Sequence, residues 1–122
     1  MKFSTRDRYA LRLMVELANR PNDLIPLKDI SDKQRISLKY LEQIVTPLAR
    51  VGLVKSERGS QGGYRLTKSP EEYTLASILH ATEGSLAAVA CLEDHAPECA
   101  RAGQCPTRPI WEKLNNLIED YL

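Results

Sequence analysis

The sequence has little of what an enzyme is built from. It holds only two histidines, no Cys-x-x-Cys pair and no glycine-rich phosphate-binding motif, which leaves few groups for acid–base, dithiol or nucleotide chemistry. No stretch is apolar enough to span a membrane. The opening MKFSTRDRYALRLM lacks the basic, apolar and small-residue order of a secretory leader. Internal repeats and low-complexity segments are absent as well. These absences exclude most catalytic and membrane classes and predict one small domain of 122 residues, with a modest core, acting in the cytoplasm. Thiols stay reduced there, and the three cysteines could not all pair within one chain in any case.

What is present is divided unevenly. The formal net charge of +1 conceals a first part, residues 1–68, with 14 lysines and arginines against 7 acids. Residues 69–122 carry 3 against 9. A basic first half suits a polyanionic partner and an acidic second half does not.

Apolar side chains at Ala10, Leu13, Met14 and Leu17 follow the spacing of an amphipathic helix, predicted over Thr5 to Asn19 and ended by Arg20-Pro21-Asn22-Asp23. A short helix is predicted over Leu27 to Lys33. Ser37 then offers a capping hydroxyl to a third helix, Leu38 to Arg50. Leu38, Leu41, Val45 and Leu48 fall on one side of it, and Lys39, Gln43, Thr46 and Arg50 on the other. Pro47 lies inside this helix and should remove a hydrogen bond and bend the last turn.

Gly52 ends the helix, and strands are predicted over Leu53 to Arg58 and Tyr64 to Thr67, joined by Gly59-Ser60-Gln61-Gly62-Gly63. Thr74 caps a fourth helix running to Glu83, with Leu75, Ile78 and Leu79 inward. Near the C-terminus Ile110, Trp111, Leu114, Leu117, Ile118 and Tyr121 repeat the helical spacing. That stripe could fold back on the first helix; a two-fold dimer with a second copy is preferred.

Three helices followed by a glycine-tipped hairpin form a winged helix-turn-helix: a mostly α fold with a small β-hairpin and a long C-terminal dimerisation helix. The expected organisation is a DNA-binding domain over 1–83, a cysteine-bearing sensor loop over 84–106 and a dimerisation helix over 107–122. The third helix can enter a major groove, presenting Ser37, Lys39, Tyr40 and Gln43, of which Lys39 and Gln43 can read guanine and adenine edges. Arg58 and Arg65 flank a wing suited to a narrow minor groove.

All three cysteines fall in CLEDHAPECARAGQC, with the pattern Cys91-x7-Cys99-x5-Cys105. Soft sulfur donors this close suit zinc, a redox thiol switch or an iron-sulfur cluster. Zinc needs a fourth protein ligand in a closed site, and Asp94, His95 or Glu98 lies within the loop.

The blocks MKFSTRDRYALRLMVELA, PLKDISDKQRISLKYLEQIVTPLARVGLVKSERGSQGGYRL and TLASILHATEG, with the late cysteines and Trp111, resemble IscR-, NsrR- and CymR-type bacterial regulators, the Rrf-two family. The resemblance covers nearly the whole chain. It implies a homodimer that binds an inverted-repeat operator in double-stranded DNA, with contacts from Ser37, Lys39, Tyr40, Glu42 and Gln43 and, in the wing, Arg58, Gly59 and Gly62. Glu42 reads equally as a solvated acid beside the core face. The resemblance also implies that Cys91, Cys99 and Cys105 hold an iron-sulfur cluster, 2Fe-2S favoured over 4Fe-4S.

Two departures stand out. The IscR-like branch has a ligand histidine three residues after the last cysteine, where this chain has Arg108. The nitric-oxide-sensing branch has a ligand aspartate in the first helix of the other subunit, where this chain has Arg8 next to Asp7. The fourth ligand is therefore left open among His95, Asp7 of the partner subunit and His80. A cluster-free, CymR-like repressor of cysteine metabolism, acting with a cysteine-biosynthesis enzyme, is the alternative.

Overall fold

The computed structural model describes residues 2–93, 96–97, 99–101 and 103–122. Helix α1 spans Thr5–Asn19 and starts where the Ser4 hydroxyl accepts the Asp7 amide at 3.0 Å. Ala10, Leu13, Met14 and Leu17 are buried along one stripe, as their spacing predicts. Helix α2, Leu27–Gln34, runs one residue further than expected and turns Leu27 and Ile30 inward. Arg35 then takes a left-handed conformation, φ 55° and ψ 46°, and reverses the chain. No glycine marks this turn. It is fixed by the Ser31 hydroxyl donating to the Ile36 carbonyl at 2.6 Å and the Ile36 amide donating to the Ser31 carbonyl.

Helix α3 is Leu38–Arg50, capped by the Ser37 hydroxyl accepting the Tyr40 amide at 3.2 Å. Its buried stripe is Leu41, Ile44, Val45 and Leu48. Leu38, expected inside, is 41% exposed, because Ile44 completes the i, i+3, i+4, i+7 face and leaves Leu38 at its rim. Pro47 does not end the helix. Helix α4, Leu75–Glu83, begins at Thr74, whose hydroxyl accepts the Ser77 amide. Ile78 and Leu79 are buried, while Leu75 in the first turn is exposed, contrary to expectation.

Strands β1, Val54–Glu57, and β2, Gly63–Leu66, pair antiparallel with Val54 opposite Leu66 and Glu57 opposite Gly63. β1 is shorter by one residue at each end than the sequence suggests, and β2 has the expected length but starts one residue earlier. Ile25 adds a bridge on the far side of β2, exchanging two 2.9 Å hydrogen bonds with Tyr64. This contact ties the wing to the segment before α2. Gly63 permits it, since a Cβ there would lie 2.5 Å from the Ile25 carbonyl carbon.

Helix α5, Arg108–Tyr121, buries none of its residues in the single chain. Ile110, Leu117 and Tyr121 stand largely in solvent. Polar links hold it: Asn115 accepts the Ala88 amide at 2.8 Å, and His80 on α4 meets Glu119 at 3.0 Å. The core lies among α1 to α4 and the root of the wing.

Candidate nucleic-acid interface and thiol site

Burial of Leu41, Ile44, Val45 and Leu48 forces the opposite side of α3 outward. Ser37, Lys39, Glu42, Gln43, Thr46 and Arg50 are exposed there. Lys39 and Gln43, one turn apart, form a pair of donors on a helix that can lie in a groove. Glu42 is exposed on the same side and presents an acceptor. Tyr40 differs from its neighbours. It is half-buried, with its ring set edge-on to Tyr9 of α1 at 5.8 Å and 68°. The guanidinium of Arg12 lies 5.1 Å from the centre of the Tyr9 ring.

Pro47 leaves the Gln43 carbonyl without its usual amide donor four residues on. Arg6 of α1 points a guanidinium NH2 at that carbonyl, 3.5 Å away. A long charge-assisted contact thus replaces part of the missing backbone bond and joins α1 to α3 at Gln43. Sequence reasoning missed Arg6, although a proline inside a helix announces an orphaned carbonyl four residues back.

A second clip joins α1 to α2. Glu16 is 4% exposed, accepts from the Gln34 side chain and pairs with Lys33 at 3.2 Å. Arg12 donates to the Gln34 side chain at 2.8 Å and to its carbonyl at 2.6 Å. Burial pushes the Glu16 carboxyl up, but the bonds from Gln34 and Lys33 outweigh it and hold the group below its ordinary value.

In the wing, Arg58, Gly59, Ser60 and Gln61 form an exposed tip. Gly59 has φ 119°, and a Cβ on Gly62 would lie 2.2 Å from the Glu57 carbonyl oxygen, so both positions demand glycine for shape. Arg58 is exposed at the tip. Arg65 instead leans on Glu57 at 3.8 Å along the hairpin.

Cys91, Cys99 and Cys105, all free thiols, line one cavity of about 150 Å³ together with Val89, Thr107, Arg108 and Trp111. The fold thus brings together three residues spread over fifteen positions. Cys91 sits on a short 3-10 turn, Ala90–Leu92, and Cys105 just before α5. The Thr107 hydroxyl, 3.3 Å from Cys105 Sγ, pulls that thiol below its ordinary value and so favours the thiolate that ligates metals. Among the described residues no three His, Cys, Asp or Glu side chains are gathered closely enough to hold a single metal ion. A cluster shares its protein ligands among two or more irons, and three soft donors around one cavity fit such a group.

The candidate fourth ligands are scattered. His95, with Asp94 and Glu98, lies outside the described residues. Asp7 lines a different cavity, with Ser4, Glu83 and Leu86, and accepts from the Thr82 hydroxyl at 3.0 Å. Burial raises its carboxyl above the ordinary value; Thr82 opposes the rise and Glu83 adds to it. His80 is engaged with Glu119. Arg108, in the IscR-like histidine position, does face the cysteines but donates its Nε proton to Glu112 at 2.7 Å.

Three helices, a hairpin wing and an outward polar face on the third helix define a winged helix-turn-helix regulator. The chain belongs to the Rrf2 family, described as iron-dependent transcriptional regulators, which matches over residues 3–122. It is 38% identical over 124 residues to the transcriptional regulator IscR of Aliivibrio salmonicida, across 100% of this chain and 72% of that protein. It is 37% identical over 123 residues to CymR of Bacillus subtilis, across 100% of this chain and 83% of that protein. The solved structure of Bacillus subtilis CymR, the global cysteine regulator, superposes with a TM-score of 0.79 at 36% identity, covering 98% of this chain and 88% of the other. The IscR structure from T. potens gives 0.78 at 35%, covering 100% and 80%. These relatives are transcription regulators, and this chain is one too rather than an enzyme. No helix among the described residues is long and apolar enough to cross a membrane.

Proposed function

We propose that the protein is a cytoplasmic regulator that binds an inverted-repeat operator as a homodimer and senses iron-sulfur status or redox stress through a cluster held by Cys91, Cys99 and Cys105. The observation that carries the sensing half is the convergence of the three thiols on one cavity at the foot of α5. The exposed apolar residues Ile110, Leu117 and Tyr121 support α5 as the dimer contact.

In this reading residues 1–83 bind DNA, 84–106 sense and 107–122 dimerise. Ser37, Lys39, Glu42 and Gln43 face base edges and phosphates from α3, with Tyr40 at its flank, and Arg58, Gly59 and Gly62 shape and charge the wing. When bound, the cluster, favoured as 2Fe-2S, supplies a redox centre that oxidants can destroy. His95 or Asp7 of the partner subunit completes the ligand set. The cysteines do the mechanical work: Cys91 anchors the 3-10 turn, Cys105 the start of α5, and holding both fixes the angle of the dimer helix. That angle sets the spacing of two reading helices over successive major grooves. A coupling of about 1 to 3 kcal/mol suffices for regulation.

The test is protein prepared without air, with iron and sulfide counted and operator affinity measured. Cys99→Ala is expected to lose the iron-sulfur absorption and to change operator affinity. Unchanged colour removes Cys99 from the ligand set. Arg108 in place of a ligand histidine favours one other reading, a cluster-free, CymR-like repressor working with a cysteine-biosynthesis enzyme. Colourless wild-type protein with full operator affinity selects that reading.

A further inference from the structure

We propose that Arg108, restrained by Glu112, is a fixed positive charge in the wall of the three-thiol cavity, and that it raises the reduction potential of the centre those thiols hold. The inference rests on the cluster reading above and deepens it.

Arg108 lines the same cavity as Cys91, Cys99 and Cys105. A guanidinium keeps its charge and offers no lone pair, so the side chain cannot serve as a ligand. It acts on the site only through its field and its donors. One observation says that this placement is not a by-product of building the helix. Arg108 is the first residue of α5, where a cation opposes the helix macrodipole. Its partner Glu112 stands one turn on and accepts from Nε at 2.7 Å, which restrains the arm of a residue that lines the cavity.

The charges are also unequally screened. The Arg108 side chain is 30% exposed and that of Glu112 is 50% exposed, so the acid only partly cancels the cation. Val89 and Trp111 give the cavity apolar walls, which strengthen the field of a charge beside them.

Reduction by one electron from an external one-electron donor adds one negative charge to the centre and breaks no bond. A cation alongside stabilises the reduced form more than the oxidised one. In an anaerobic potentiometric titration, Arg108→Gln is expected to raise the oxidised-to-reduced ratio about tenfold at a fixed potential, a fall of about 59 mV for a one-electron couple. Arg108→Lys keeps the charge and should move the ratio by less than about threefold. Glu112→Gln removes the countercharge while its amide oxygen still accepts from Arg108 Nε and keeps the arm in place, so it should shift the ratio in the opposite direction to Arg108→Gln. Far-UV circular dichroism and the iron-to-protein ratio establish that each variant is folded and loaded. If Arg108→Gln fails to load iron, the sign of the Glu112→Gln shift decides alone. An unchanged potential in Arg108→Gln, or shifts of the same sign in the two charge-removing variants, overturns the role of Arg108 and leaves the cluster reading intact. Wild-type protein without iron and sulfide overturns both.

Discussion

Gly63→Ala tests how the wing is attached to the body. A Cβ at this position would lie 2.5 Å from the carbonyl carbon of Ile25, 2.6 Å from its oxygen and 2.7 Å from the Pro26 nitrogen. All three are backbone atoms, so no side-chain rotation relieves the contact. To reach ordinary van der Waals separation the Ile25 segment and β2 must part by about an ångström. That movement breaks the two 2.9 Å hydrogen bonds between Ile25 and Tyr64. Each bond is worth about 1 kcal/mol net, and a buried group left unpaired costs about 1 to 3 kcal/mol. Ile25 is fully buried, so the expected destabilisation is about 2 to 4 kcal/mol. Urea unfolding followed by circular dichroism should show a lower midpoint with an unchanged slope. Ser60→Ala, at the exposed wing tip, is the control and should stay within about 0.5 kcal/mol of the parent. A Gly63→Ala protein as stable as the Ser60→Ala protein refutes the close-approach argument.

Four further outcomes are expected. Lys39→Ala should weaken operator binding by about 1 to 3 kcal/mol and random-duplex binding by less, read by titration at fixed salt; equal losses reduce Lys39 to a phosphate contact. Asp7→Asn should be more stable than the parent at neutral pH, with the gap closing toward acid. The raised carboxyl means that the folded state holds more protons than the unfolded chain, so Asp7 makes stability fall as pH climbs from the ordinary carboxylate range through the raised value; a penalty that is the same at every pH contradicts this. In a double-mutant cycle, Arg6→Ala should cost about 0.5 to 1 kcal/mol less in a Pro47→Ala background, where a backbone amide again serves the Gln43 carbonyl; strictly additive losses dismiss the contact. Leu117→Glu should shift the dimer toward monomer in sedimentation, and an undisturbed dimer moves the interface away from α5.

Much of the fold is legible in the chain because the signals are local. Period-3.6 apolar stripes and capping hydroxyls at Ser37 and Thr74 reproduce α1, α3 and α4 as observed. The glycines between Arg58 and Tyr64 mark the wing. Where those signals give out, the errors follow. The left-handed Arg35 has no glycine to announce it, and the Ile25 bridge pairs residues far apart in sequence. Leu38 and Leu75 read as core from their spacing, yet both stand in a first helical turn and are exposed.

The sequence alone determined the winged helix-turn-helix, the polar outer face of α3 and the grouping of every thiol in one short segment, since periodicity, capping and spacing are properties of neighbouring residues. Only the tertiary structure decided that Tyr40 packs on Tyr9, that Arg6 serves the carbonyl orphaned by Pro47, and that Arg108 meets the cysteines while Asp7 turns to Thr82. Those contacts depend on how helices are set against one another, and that setting comes from the packing of the whole core rather than from any one stretch of chain.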